Sequence, residues 1–228
     1  NTTILLNDGI YTLDNGLWVS GNNIIIRSAS GDRNAVIVRG RGMNGVTSHV
    51  FWLAGDDLTL ADMTVGYVSN HPVQIHGELD ADRTLLHNLK IVDGKEQLVK
   101  VSGGMDDPNK RSDNGILECS WLGYTAGIGP QWYIGGIDAH YARNWQVKNN
   151  TFVGIRSPSE DVAEHAVHFW TNSENTRVEN NTIINCDRGI GFGLAERGQI
   201  GGIIRNNRIY HDKTFGDVGI GLENASSA

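Results

Sequence analysis

A six-residue pattern, apolar-x-(Asn/Asp)-x-x-apolar, recurs along the chain and constrains its fold more than any other feature. It occurs as Leu60-x-Asp62-x-x-Val65, Leu86-x-Asn88-x-x-Ile91, Val147-x-Asn149-x-x-Phe152, Val178-x-Asn180-x-x-Ile183 and Ile204-x-Asn206-x-x-Ile209, with Leu117-x-Cys119-x-x-Leu122 carrying Cys in the Asn slot. Successive slots lie 26, 31, 30, 31 and 26 residues apart. Such a period marks a solenoid whose repeats each bury their apolar side only against their neighbours. Asn suits the bend between two short strands because it tolerates the left-handed backbone region and bonds to nearby backbone. Stacked turns would bring these Asn side chains roughly 4.8 Å apart, in reach of one another's amides.

A second strand follows each motif after a variable loop and aligns by its own alternation. Phe51-Trp52-Leu53-Ala54-Gly55, Val73-Gln74-Ile75-His76-Gly77 and Val99-Lys100-Val101-Ser102-Gly103 share one register, continued by Ile137–His140, Val167–Trp170, Ile190–Gly193 and Ile220–Glu223. This predicts an all-β, single-stranded parallel β-helix of about seven turns spanning 1–228 as one domain. Twenty-nine Gly against four Pro fits a chain of strands and frequent turns. Cys119 and Cys186 lack metal-ligand spacing and belong to turns too far apart for a disulfide, so both read as buried small hydrophobes.

With these strands and the opening Thr2 to Gly40, including Asp8-Gly9-Ile10-Tyr11 and Gly21-Asn22-Asn23-Ile24-Ile25-Ile26, the chain resembles the right-handed parallel β-helix proteins of the pectate-lyase-like superfamily. The resemblance covers nearly the whole chain and implies a secreted or periplasmic protein acting on polysaccharide. It is specific for fold and open on activity. The chain begins in mid-pattern and Ile220–Asn224 is still in strand register, so further turns, a cap outside this segment or end-to-end self-association are expected.

A formal charge of −7 argues against nucleic acid, whose phosphates need a basic surface. No apolar run is long enough for a membrane span.

The outward positions of the second strands form two ladders. One reads Trp52, Gln74, Lys100, Asp138, His168, Gly191, Gly221, and the other Ala54, His76, Ser102, His140, Trp170, Gly193, Glu223. Lys100, Asp138, His140 and His168 fall on three adjacent turns, followed by glycines that suggest a backbone-lined floor for a sugar chain, with Trp52 and Trp170 as stacking platforms. Gln74 and His76 extend this face. Long loops leave the same turns and would form cleft walls, carrying Trp132 and Tyr133 in one and Arg156, Glu164 and His165 in another. Arg143 and Arg188 flank the strands and supply local positive charge.

Asp138-Ala139-His140 resembles the Asp-Pro-His motif of mannuronan C5-epimerases, with Ala in the Pro position, and Lys, His and Arg on this face are used by alginate and pectate lyases. The resemblance implies an acidic polysaccharide substrate and abstraction of the C5 proton of a uronate, followed by β-elimination in a lyase or reprotonation in an epimerase. In that reading His140 or Lys100 is the base and Asp138 orients it or holds a calcium ion. His168 is the partner acid, and Arg188 or Arg143 neutralises the substrate carboxylate. Glu78, Asp80 and Asp82 read as a solvated turn rather than a calcium site, so the sequence leaves metal dependence open. Hydrolysis would need a second carboxylate opposite Asp138, from Glu164, Asp187 or Glu223. Lyase ranks first, epimerase second; a glycan-binding scaffold without catalysis is the alternative of another class.

Overall fold

The computed structural model describes residues 1–104, 106–212 and 216–228. All named strands pair in parallel into a solenoid of about eight turns. Three sheets of eight strands run its length, and a fourth, of five two-residue strands, joins them from Ser112–Asp113 onward. The turn beyond the seven anticipated is the first, where Leu17–Val19 lies in register with Phe51–Leu53. Among the described residues the only helix is one short 3-10 turn, Gly77–Leu79, and none is long and apolar enough to cross a membrane.

The repeat motif sits at the corner between the first two sheets. Its slot residues Asp62, Asn88, Cys119, Asn149, Asn180 and Asn206 all have φ between 49° and 58°, the left-handed region. In the later turns the amide stack lies one residue beyond the slot. Asn150 Nδ2 donates to Asn181 Oδ1 at 3.1 Å, and Asn181 Nδ2 to Asn207 Oδ1 at 3.0 Å. The left-handed step turns the slot side chain outward and the next one inward, where burial obliges it to find partners. Asn149 and Asn180 are accordingly exposed, Asn150 and Asn181 buried. For the same reason Cys119 is exposed, contrary to the buried hydrophobe expected of it, whereas Cys186 is buried and burial pushes its thiol up to about 12.

Inward residues of the three long sheets stack into one continuous core. The third sheet holds the aligned second strands, and its register matches the alignment throughout: Trp52, Gln74, Lys100, Asp138, His168, Gly191 and Gly221 are consecutive neighbours. Loops over 124–136 and 154–164 enter this sheet from the second, and the loop after Ser102 leaves it.

Buried groups tie down the entering loops. Tyr124 Oη donates to the carbonyls of Gly94 and Glu96, and Asp93 accepts from the backbone and hydroxyl of Thr125. Asp187, 2 % exposed, accepts from the backbone N–H of both Ser157 and Ala163, closing the second loop.

Candidate active site

The centre of the third sheet is a hydrogen-bonded cluster around Asp138. Lys100 Nζ donates to Asp138 Oδ2 and to His140 Nε2 at 2.9 Å, while Trp170 Nε1 donates to Asp138 Oδ1 at 2.7 Å. On its other side, His140 Nδ1 lies 2.9 Å from Thr171 Oγ1. Both carboxylate oxygens of Asp138 are therefore engaged. Burial alone would raise its pKa, but Lys100, His140 and His168 outweigh that and hold it well below the usual carboxylate range.

Outward direction did not bring exposure to every member of the ladder. Asp138 is 1 % and His168 2 % exposed, because neighbouring side chains lie over them. His168 is stacked on Trp170 at 4.8 Å and against His165 at 4.5 Å, and its Nε2 lies 3.2 Å from the Gly193 carbonyl. It is thus sealed beneath the surface rather than poised as a partner acid, and burial lowers its pKa. Trp170 is no open platform either: His168 and His140 pack against it, and the Arg197 guanidinium lies 4.8 Å over its ring. Nor do the glycines form an open floor. The His165 ring occupies the space above Gly191, its Nε2 2.6 Å from where a Cβ would stand.

The groups that reach solvent are Lys100 and His140, with side chains 15 % and 18 % exposed. They line a pocket of about 200 Å³ with Ser102, Gly103 and Tyr141. Glu164 stands at the edge of the cluster, accepting from Gln97 Nε2 at 3.3 Å. Its burial, then the charge of Asp138, push its carboxyl up to about 7. Tyr133 is within the field of Lys100, Glu164 and Asp138, and burial raises its phenol. Trp132 packs edge-on against Tyr133 at 5.5 Å, and both are exposed.

On the side of the earlier turns, Trp52 stacks on His49 at 4.7 Å and approaches Trp18 at 6.2 Å. Gln74 donates to Ser102 Oγ at 3.5 Å, and Ser102 donates to Glu78, which also pairs with His76 Nδ1 at 2.5 Å. Trp52, Gln74 and His76 thus continue the face as an aromatic and polar surface.

Three arginines are placed otherwise than expected. Arg143 lies on the fourth sheet, paired with Asp113, and Arg156 pairs at 3.9 Å with the loop anchor Asp187. Arg188 borders His165 and Glu164 but binds Asp217 at 2.6 Å, so its charge is already matched. Arg197 escaped the sequence reading, as did Gln97 and Thr171. It forms no ion pair among the described residues, and only the fold of the loop after Phe192 lays it on Trp170.

Asp138, Glu164 and His168 offer ligand atoms within 4.8 Å of one another. They do not fit calcium, which takes six to eight oxygens. One of the three is an imidazole, both Asp138 oxygens are occupied, and Lys100 already supplies positive charge beside them.

No family model matches the sequence, and no curated protein does. Among solved structures the chain is similar to an alginate lyase from Paenibacillus sp. str. FPU-7, with 13% identity and a TM-score of 0.50 over 98% of this chain and 92% of that one. ORF18 of Geobacillus virus E2 aligns with 12% identity and a TM-score of 0.55 over 96% of this chain and 52% of the viral one, so the chain spans about half its length. A pectin methylesterase from Yersinia enterocolitica gives 8% identity and a TM-score of 0.46, covering 95% of this chain and 88% of that one. At such identities the likeness is one of fold.

Proposed function

We propose that this chain is a carbohydrate-active enzyme, a polysaccharide lyase that cleaves a uronate-containing polysaccharide by β-elimination. The observation that carries the reading is the Lys100 and His140 pair, joined to each other and held over the buried carboxylate of Asp138 at the floor of an open pocket. His140 takes the C5 proton on Nε2 as Lys100 turns its N–H from that nitrogen to the substrate, and Asp138 offsets the positive charge gained. The C5 electron pair forms the C4–C5 double bond and the C4–O4 bond breaks. The departing oxygen takes a proton from Glu164, whose carboxyl stays neutral up to about pH 7. Lys100 Nζ and Arg197, which forms no ion pair among the described residues, would balance the substrate carboxylate.

Hydrolysis fits less well. Asp138 would have to act as nucleophile or base, yet both its oxygens already accept hydrogen bonds and it is closed off from solvent. A polymeric substrate implies action outside the cytoplasm, secreted or periplasmic.

Incubation with alginate, pectate and glycosaminoglycans, followed by the ultraviolet absorbance of the unsaturated product, tests the reading. The expected result is a rise on at least one uronate polymer that His140→Ala abolishes while the thermal transition stays in place. Exchange of the C5 proton without chain cleavage would reassign the same site to an epimerase, and binding without either reaction would make it a glycan-binding scaffold.

A further inference from the structure

On the outer face of the second sheet a cleft of about 460 Å³ is lined by Arg33, Asn34, Lys90, Trp121 and Thr125. Lys90 and Trp121 are register neighbours on consecutive turns, and Lys90 Nζ lies 5.9 Å over the Trp121 ring. That ring reaches along its strand over Gly123, where a Cβ would stand 3.0 Å from Trp121 Cη2. Arg33 comes from the loop before Val36–Arg39, pinned by Thr64 Oγ1 donating to the Arg33 carbonyl at 2.8 Å. Its guanidinium donates to the carbonyls of Leu89 and Cys119, at 3.4 and 3.2 Å.

Neither Arg33 nor Lys90 forms an ion pair among the described residues, although the chain carries a net charge of −7. Carbonyl partners orient a guanidinium without neutralising it, so two uncompensated cations line the cleft beside a half-buried indole, and Lys90 Nζ, now over the ring, has to move aside for a sugar to stack there. Two acids stand near the cleft: Asp93, which holds Thr125, is buried, and exposed Asp32 accepts from the backbone and side-chain amides of Asn34 without forming an ion pair to Arg33 or Lys90 among the described residues. An aromatic face takes the C–H side of a sugar ring, and flanking cations take a carboxylate on its rim. The charge also discriminates against neutral sugars.

We propose that this cleft is a second binding site for an acidic sugar chain, separate from the third-sheet cluster, with Trp121 as the stacking face and Lys90 and Arg33 as carboxylate partners. The ligand class rests on the proposed function, but the site is independent of turnover.

The experiment follows indole N–H resonances of the full chain carrying His140→Ala, titrated with oligouronates and with neutral oligosaccharides of equal length. Trp145, fully buried with Nε1 bonded to the Ser112 carbonyl, serves as the folding control. The expected result is a saturable shift of the Trp121 resonance with the oligouronate, weakened at least tenfold by Lys90→Ala or Arg33→Ala with Trp145 unmoved. In parallel, Trp121→Ala in the otherwise unaltered chain is expected to keep its turnover of short soluble substrates. A silent Trp121, or equal response to neutral sugar, overturns the proposal even if lyase activity is found. A selective Trp121 shift in a chain without lyase activity upholds this site and rejects the lyase.

Discussion

Glu164 shows how one residue's environment decides its chemistry. Its carboxyl is pushed up to about 7 by burial and by Asp138, from an ordinary value of 4.5. The folded state therefore holds a proton that the unfolded chain has released between those two values. Stability falls as pH rises from about 4.5 to 7 and levels off above. Glu164→Gln is expected to remove that dependence, leaving stability near the parent value at pH 4 and raising it at pH 8 by up to about 3 kcal/mol in denaturant titration. If Glu164 is the acid, parent turnover declines above pH 7, and the variant loses turnover at every pH. Asp138 has the opposite sign, since its depressed pKa contributes stability that is complete above its ordinary value of 3.8 and is lost progressively as pH falls below it. That Lys100, Asp138 and His140 point to one side on neighbouring turns was legible in the sequence, because alternation decides their direction. The burial of His168 and the cover over Trp170 were not, because each depends on side chains arriving from other turns.

At the scale of elements, two stacks carry the structure. Asn181 lies in the buried amide ladder, accepting from the Asn150 backbone and side chain and donating to Asn207 and the Val147 carbonyl. Asn181→Ala strands those partners inside and is expected to cost about 2–4 kcal/mol, read from the shift of the unfolding midpoint. Gly191 lies on the third sheet directly beneath His165. A Cβ there meets the imidazole at 2.6 Å, so Gly191→Ala is expected to displace His165 from its contact with His168. The cost should be about 1–3 kcal/mol in thermal unfolding. The motif identified the corner, but the ladder one residue beyond it follows from the rotation that a left-handed step imposes on the next side chain. The sequence has Asn at both positions in Asn149-Asn150 and Asn180-Asn181, so composition did not distinguish the outward Asn from the inward one.

Across the whole molecule, each turn is held by its neighbours alone, so stability follows position along the axis. Core residues from Val36 to Phe192 are nearly all fully buried, whereas the first turn exposes Ile4, Leu5, Ile10 and Trp18 and the last exposes Ile209, Ile220 and Leu222. Native-state amide exchange is therefore expected to be slowest in the central third-sheet strands Val99–Ser102, Ile137–His140 and His165–Trp170, and fastest in the two terminal turns. Uniform protection would contradict this. The same central strands carry the Asp138 cluster, with stacked neighbours on both sides.

The sequence by itself determined the solenoid, its register and the row on which Lys100, Asp138 and His168 meet, because a two-residue period and a recurring bend are local properties of the chain. Tertiary structure alone decided which of those groups face solvent. It laid His165 over Gly191, Arg197 on Trp170 and Glu164 against Asp138, and it left Arg33 and Lys90 without an ion pair among the described residues beside Trp121. These contacts join residues from different turns through loops without periodicity, and their positions follow from packing and the satisfaction of buried polar groups rather than from any local pattern.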